Sequence, residues 1–217
     1  LVDMSTLSLA DIRLDYGRHG LAISDCHADP LQQLQDWLDA ALKAGVHEAT
    51  AMNLATVDAQ GRPSARIVLL KGIEAGQLCF FTNYLSRKGQ QLAAQPFAAL
   101  TFFWPELERQ IRIEGAITKL PDAASDAYFE SRPYGSRIGA WVSEQSQALA
   151  DTETLKARAI ELQARFPEQV PRPSHWGGYG LTPDRVEFWQ GRPSRLHDRV
   201  LYLPDELGGW QRSLLQP

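Results

Sequence analysis

A mainly β chain with flanking helices, its strands paired antiparallel and closing toward a barrel, is the fold class this sequence predicts. Three observations carry the prediction. Runs of β-favouring residues recur at 52–58, 64–70, 77–82, 97–104 and 109–118, then at 179–181, 185–190 and 199–203, with a last one near Trp210. The connections between the central runs are short, as antiparallel neighbours allow and parallel ones do not, and a succession of such strands favours a barrel. Clear helical periodicity is confined to a few segments beside these runs.

Taken in order, residues 1–28 mix charges without a period, so a flexible N-terminal arm is expected there, with Asp11-Ile-Arg-Leu-Asp-Tyr16 as its one compact cluster. The remainder, 29–217, is expected to be a single domain, because no Pro/Ser/Gly linker divides it. Asp29-Pro30 reads as a helix start, Leu31, Leu34, Leu38, Ala41 and Leu42 recur at helical spacing, and Gly45 suits the stop. A hairpin turning at Asp58–Gly61 follows, then further strands. The segment from Pro121 to Ser131 reads as a helix burying Ala124, Ala127, Tyr128 and Phe129. Residues 151–166 read as a packing helix with Leu155, Ala159, Leu162 and Phe166 on one face. A Pro-rich break at 167–173 precedes the last strands.

Composition bounds the function. Of 217 residues, 44% are hydrophobic and 22% charged, with six Trp and eight Phe, enough for a substantial core. The formal net charge of -4 argues against general binding to nucleic acid or an anionic membrane, either of which would want a basic face. No apolar run approaches the roughly 20 residues of a membrane helix. Cys26 and Cys79 form no CxxC pair and no leading stretch resembles a signal peptide, so a reducing cytoplasm is the expected address. The first residue is Leu1 rather than Met, so native residues are expected to precede it.

Against that acidic background, 66–88 is locally basic: Arg66, Lys71, Arg87 and Lys88 face one acid, Glu74, so a discrete anionic ligand is expected here. Ser86-Arg87-Lys88 follows a strand and opens a helical run. A helix start offers unpaired N–H groups and partial positive charge, so two cations in its first turn are a mismatch that an anion repairs. Arg66 and Lys71 are five apart and would lie on opposite faces of a regular strand; a bulge, or a site shared with a partner subunit, would bring them to one ligand. Tyr128, Arg132 and Ser136, spaced by four and four, would share one side of a continuous helix, although Pro133 interrupts it; one guanidinium and two hydroxyls suit a phosphate. In Arg195-Leu-His-Asp-Arg199, three basic side chains and an acid in five residues are too polar for ordinary core, and in a strand Arg195, His197 and Arg199 would share a face. The histidines and cysteines show no metal spacing, so no metal is expected.

These residues resemble a known family. Arg66-Ile-Val-Leu-Leu-Lys71, Phe81-Thr82-Asn83 and Ser86-Arg87-Lys88 look like the flavin mononucleotide (FMN) site of the pyridoxine/pyridoxamine 5'-phosphate oxidases. The resemblance continues through Glu108-Arg109-Gln110, Ser131-Arg132-Pro133, Ile138–Ser143, Gln145-Ser146, Trp176-Gly-Gly178, Phe188-Trp-Gln-Gly191 and Arg195–Arg199, in one order from about residue 13 onward. It implies an FMN-binding split β-barrel and a homodimer with FMN at the subunit interface. The reaction it implies is oxidation of pyridoxine 5'-phosphate and pyridoxamine 5'-phosphate to pyridoxal 5'-phosphate, with O2 as acceptor, giving hydrogen peroxide and, from the amine, ammonia.

By resemblance FMN falls to Arg66, Ile67, Val68, Leu69, Lys71, Phe81, Thr82, Ser86, Arg87, Lys88, Gln110, Gln145, Ser146, Trp189 and Arg199. The substrate falls to Lys71, Tyr128, Arg132, Ser136, Arg195 and His197. Of these, Arg195 and His197 would orient the ring and its reacting substituent, while Arg13 and Tyr16 would belong to a lid formed by the arm. The alternatives are a related flavin oxidase of reduced phenazine precursors and a non-catalytic split-barrel module that binds a cofactor. One departure stands out: family members commonly end in Arg-Leu-x-Pro, whereas this chain ends Leu214-Leu-Gln-Pro217, with Arg212 displaced.

Overall fold

The computed structural model describes residues 16, 17 and 19–217, so Arg13 and most of the predicted arm lie outside the described residues. Helix α1 (Pro30–Lys43) starts as the sequence predicts. The Asp29 side chain accepts the N–H of Leu31, and Pro30 sits in the first turn, where its missing N–H costs nothing. Gly45 follows at φ 71°, the left-handed conformation that ends helices. Leu34, Trp37, Leu38 and Ala41 are buried, but Leu42, expected on the same face, is 54% exposed. One residue past Ala41 it is turned about 100° round the helix axis, beyond the packed stripe.

The hairpin is β1 (Ala51–Val57) and β2 (Pro63–Leu69), in register from Ala51 opposite Leu69 to Val57 opposite Pro63. Its turn is closed by the Asp58 carboxylate, which accepts the N–H groups of Gln60 and Arg62. There follow β3 (Gly72–Glu74), β4 (Gln77–Asn83), α2 (Arg87–Ala94), β5 (Phe97–Trp104) and β6 (Arg109–Lys119). Next come α3 (Asp122–Ser131), α4 (Tyr134–Val142) and α5 (Thr152–Arg165), then β7 (Trp176–Gln190), β8 (Asp198–Pro204) and β9 (Trp210–Leu214). The strand order is β2-β1-β5-β6-β7-β4-β3, with β8 beside β7 and β9 beside β8. The pairings of β1 with β2 and β5, of β4 with β3 and β7, and of β8 with β7 and β9 are antiparallel. This is the expected mainly β sheet with flanking helices.

Two further details differ from the sequence expectations. The two strands expected at 179–181 and 185–190 are one, β7, running through Pro183. That proline falls between the stretch paired with β4, which ends at Leu181, and the stretch paired with β8, which begins at Val186, so its missing donor costs neither ladder a bond. On α3 the buried residues are Ser125 and Phe129, and Ala127 is exposed. Ser125 is drawn in because its hydroxyl accepts the N–H of Gly178, 3.1 Å away.

Contacts divide the chain into two compact units. One comprises Glu48–Phe102 and Arg112–Arg185. Its strands bury alternate residues, Met52, Leu54 and Thr56 on β1 and Ala98, Leu100 and Phe102 on β5, the period of a sheet with one covered face. The first part of β7 is buried on both faces. A second apolar layer, with Phe129, Ile138, Val142 and Val170, packs round Trp176, and Leu155, Ala159, Leu162 and Phe166 close it from the expected face of α5. The other unit comprises the described part of Leu1–His47 with Phe103–Ile111 and Val186–Pro217. Its centre is aromatic: the Phe188 ring lies 5.1 Å from Trp37 and 5.6 Å from Tyr202, and the Arg109 guanidinium sits 4.2 Å over Trp37.

Candidate active site

A cavity of about 620 Å³ opens in the unit formed by Glu48–Phe102 and Arg112–Arg185. Strand β2 brings Arg66, Ile67, Val68 and Leu69 to its wall and then ends, so Lys71, past the strand, reaches the same cavity. The end of the strand thus resolves the face conflict that a regular period would impose on Arg66 and Lys71. Strand β4 adds Phe81, Thr82 and Asn83; α2 adds Lys88; Tyr128, Arg132, Ser136, Gln145 and Trp176 complete the polar and aromatic lining. Among the described residues, four cations face this space and no carboxylate lines it.

Neutral oxygens hold two of those cations in place. Arg66 Nη1 donates to the Leu54 carbonyl and Thr56 Oγ1 at 3.1 and 2.5 Å, and its Nη2 donates to Ser64 Oγ and Gln91 Oε1 at 2.6 and 3.3 Å. Lys88 Nζ donates to Gln145 Oε1 (2.9 Å), Thr82 Oγ1 (3.1 Å) and Ser86 Oγ (3.4 Å). Burial, with the charge of Arg66 second, pushes the Lys88 pKa down to about 8; burial first and Arg87 second lower that of Arg66. Unneutralised cations at partial burial are costly unless an anion joins them. Ser86 is the N-cap of α2: fully buried, it accepts the N–H of Gly89. Arg87 is exposed on the first turn, and neither it nor Ser86 lines the cavity.

The group Tyr128, Arg132 and Ser136 is brought together, but not by one helix. Helix α3 stops at Ser131, Arg132 is an extended cap, and α4 starts after Pro133, so the one-helix arrangement is corrected to a helix–proline–helix corner. The rings of Phe81, Tyr128 and Trp176 lie nearly parallel. Phe81 and Tyr128 are 3.9 Å apart at 19°, and Tyr128 and Trp176 are 6.1 Å apart at 6°. The Arg132 guanidinium rests 4.5 Å from the centre of the Trp176 ring. Its Nη1 is buried and without a hydrogen-bond partner among the described residues, and burial lowers its pKa. Gly178 keeps the aromatic pile possible, because a Cβ there would lie 2.6 Å from Leu120 and 2.8 Å from Phe81.

The remaining predicted residues gather in the other unit, apart from Ser146, which is exposed at φ 73° beside Gln145. There Tyr16, Trp189 and His197 form a cluster, with Trp189 and His197 centroids 4.6 Å apart and Tyr16 edge-on at 5.8 and 6.0 Å. Gly191 lets Tyr16 approach, since a Cβ there would lie 2.8 Å from its ring. Arg195 and His197 precede the strand expected from Arg199, so the shared strand face does not form. Pro193 turns the chain into a short 3-10 turn ending at Arg195, with positive φ at Ser194 and Arg195, and β8 begins only at Asp198. His197 Nδ1 accepts the Arg192 N–H at 3.1 Å, which fixes the neutral ring with its proton on Nε2. Burial and then Arg195 lower its pKa. Arg199 Nε donates to the buried Glu187 at 2.8 Å and its Nη1 to the Gln216 carbonyl. Gln110, on β6, is half-buried.

Sequence reasoning missed several contributors. Gln91, Thr56 and Ser64 fix Arg66, and only the helical position of Gln91 among small and apolar neighbours hinted at burial. Asn83, quoted in the Phe81-Thr82-Asn83 run but given no role of its own, lines the cavity, donating to the Ser143 carbonyl and accepting the Leu85 N–H. Trp176 had no signal beyond its Trp-Gly-Gly setting.

A mainly β unit that turns four cations and a stack of aromatic rings toward one cavity, with no carboxylate among its described lining residues, has the donor set of a site for a phosphorylated, ring-bearing small molecule. Comparison with known proteins makes this particular. Residues 38–166 match the family profile described as pyridoxamine 5'-phosphate oxidase, and residues 176–217 match that of the pyridoxine 5'-phosphate oxidase C-terminal dimerisation region. The pyridoxine/pyridoxamine 5'-phosphate oxidase of Chromobacterium violaceum is 61% identical over 212 residues, covering 98% of this chain and all of that relative. Pyridoxine/pyridoxamine 5'-phosphate oxidase 1 of Ralstonia nicotianae is 56% identical, covering 97% and 99%. Among solved structures, PhzG from Burkholderia lata 383 in complex with tetrahydrophenazine-1-carboxylic acid superposes with a TM-score of 0.85 at 34% identity, covering 89% of this chain and 95% of that one. A pyridoxamine 5'-phosphate oxidase-related, FMN binding protein from Nostoc punctiforme matches with a TM-score of 0.71 at 20% identity, covering 88% and 100%, a likeness of fold. The chain belongs to the pyridoxine/pyridoxamine 5'-phosphate oxidase family.

Proposed function

We propose that this protein oxidises pyridoxine 5'-phosphate and pyridoxamine 5'-phosphate to pyridoxal 5'-phosphate with FMN as its cofactor, in vitamin B6 metabolism in the cytoplasm. The observation that carries the reading is the buried Nη1 of Arg132, unpartnered among the described residues, in a cavity to which those residues bring four cations and no carboxylate. A buried guanidinium N–H without an acceptor costs free energy until an anion supplies one.

FMN fits the donor set. The cavity volume is in the range of small-molecule sites, and Arg66 and Lys88 offer charged donors that a phosphate would satisfy, beside the N-terminus of α2. Their fixation by Leu54, Thr56, Gln91 and Gln145 orients those donors before any ligand arrives. Bound FMN supplies the two-electron chemistry. The chain's own part is to hold the substrate phosphate through Arg132, Lys71 and the hydroxyls of Tyr128 and Ser136, and to set the pyridine ring against the cofactor. Arg195 and His197 orient the ring and its 4' substituent, His197 as an Nε2–H donor. Overall, the substrate gives up two electrons and two protons to O2, one proton from C4' and one from its hydroxyl or amine, and the O2 leaves as hydrogen peroxide. The alcohol becomes the aldehyde directly, and the amine does so after hydrolysis that releases ammonia.

The assembly proposed is a homodimer with FMN at the subunit interface, held partly by both chains, with Gln110, Trp189 and Arg199 among its contacts. The match of 176–217 to a dimerisation region supports the dimer. So do Ile67 and Leu69, apolar wall residues that are 64% and 36% exposed in the single chain. Tyr16 against His197 supports the arm as a substrate lid, with Arg13 as its second contact. The likeness to PhzG bound to tetrahydrophenazine-1-carboxylic acid gives the second reading, an oxidase of reduced phenazine precursors.

The test is the visible spectrum of the FMN-loaded protein without oxygen. Bleaching on addition of pyridoxine 5'-phosphate and recovery in air is expected. A flavin that stays oxidised with the vitamin phosphate but bleaches with a reduced phenazine precursor would replace this reading with the second.

A further inference from the structure

The Pro-rich segment between α5 and β7 is tied by side chains to three elements that carry cavity residues. From α4, Tyr134 Oη donates to the Phe166 carbonyl at 2.9 Å, and the Trp141 indole N–H donates to the Pro171 carbonyl at 2.8 Å. Arg172 then spends its fork on two more elements. Its Nε donates to Asp126 Oδ1 at 2.6 Å and its Nη2 to Asp122 Oδ1 at 2.8 Å, both on α3, while its Nη1 donates to the backbone carbonyl of Trp176 at 2.8 Å. The Arg172 side chain is only 11% exposed. Pro171 and Pro173 flank it, and a residue before proline is restricted to extended backbone, so the arginine is presented from a stiff strap.

Arg172, Asp122 and Asp126 do not line the cavity. What they join does. Helix α3 presents Tyr128 and is followed at once by its cap, Arg132; Trp176 is the plane on which the Arg132 guanidinium rests, parallel to the Tyr128 ring. We propose that Arg172 is a positioning residue for the substrate phosphate: by clamping α3 to the first residue of β7 it sets the Trp176 plane against Tyr128, and so the direction in which Arg132 offers its unpartnered N–H. The inference rests on the reading of the cavity as a phosphate site. Ion pairs to exposed carboxylates contribute little by themselves. Here a planar guanidinium fixes three acceptors on two elements at once, a geometry that the single ammonium of lysine cannot reproduce.

The experiment uses the FMN-loaded protein, with inorganic phosphate as probe, titrated by calorimetry and as a competitive inhibitor of pyridoxine 5'-phosphate turnover. Wild-type protein should bind phosphate in competition with the substrate; absence of competition would overturn the phosphate reading of the cavity itself. With that established, Arg172→Lys and, separately, Asp126→Ala should weaken phosphate binding and raise KM roughly 5- to 10-fold, with kcat within about twofold and FMN affinity unchanged. Phosphate binding and KM at wild-type values in both variants would overturn the role of Arg172 alone. Loss of FMN affinity in step with phosphate affinity would overturn it too, since it would mark general loosening of the unit.

Discussion

Lys88 tests how the cavity treats an anion. Its ammonium is half-buried, donates to three neutral oxygens and shares the cavity with Arg66 and with no carboxylate of the described residues, and burial first and Arg66 second push its pKa from 10.5 down to about 8. Without ligand this is a cost to the fold. Between about pH 8 and 10.5 the unfolded chain binds the proton that the folded chain has released, so the stability of FMN-free protein should rise with pH across that window, and below about pH 8 the full cost is present. A drop from 10.5 to about 8 corresponds to about 3 kcal/mol, which solvent screening of a half-exposed group reduces to roughly 1–2 kcal/mol. A phosphate set against the ammonium reverses the sign. Binding then restores the pKa, takes up a proton above about pH 8, and weakens as pH rises. The FMN dissociation constant, read by flavin fluorescence quenching on FMN-free protein, should therefore rise roughly tenfold from about pH 8 to 9.5, which is about 1.4 kcal/mol. In Lys88→Met the affinity at neutral pH should fall by about tenfold and the pH dependence should flatten. A dissociation constant level across that range in the wild type, or a pH dependence that survives in Lys88→Met, would refute the reasoning.

Arg132→Ala removes the unpartnered donor and should raise KM for pyridoxine 5'-phosphate about tenfold or more, the worth of a charged hydrogen bond of roughly 1.5–3 kcal/mol; unchanged kinetics would remove Arg132 from the phosphate site. Arg66→Ala breaks four hydrogen bonds at the cavity wall and should yield protein that loses FMN on gel filtration, and a variant that elutes fully loaded counts against the role given to β2. Gly178→Ala puts a methyl 2.8 Å from Phe81 and should lower the melting temperature by several degrees, the effect of about 1–3 kcal/mol of overpacking. A variant as stable as the wild type would show that the aromatic pile yields.

The local signals were strong where one stretch of chain decides its own conformation. Asp29-Pro30 and Ser86 fix helix starts because a side-chain oxygen within three residues satisfies an orphan N–H. The Asp58 turn and the alternation of β1, β5 and β6 follow from residues that are neighbours in sequence. The cation-rich stretch 66–88 was likewise legible as a site, because unneutralised charge in an acidic chain has few other uses.

The parts decided by distant contacts were not legible. Nothing near Arg66 says that Gln91 holds it, nor does the run Trp176–Gln190 say that Pro183 can stay in a strand until the stretches paired with β4 and β8 are known. Tyr128, Arg132 and Ser136 looked like one helix face by spacing, yet a proline corner brings them to the cavity, and Arg195 and His197 lie in and just after a turn that Pro193 opens, ahead of the strand. The sequence by itself determined the chemistry, since side-chain charge and hydrogen-bonding capacity travel with each residue. Only the tertiary structure decided which of those groups face one space, because that depends on strand ends, corners and buried partners contributed by segments far apart in the chain.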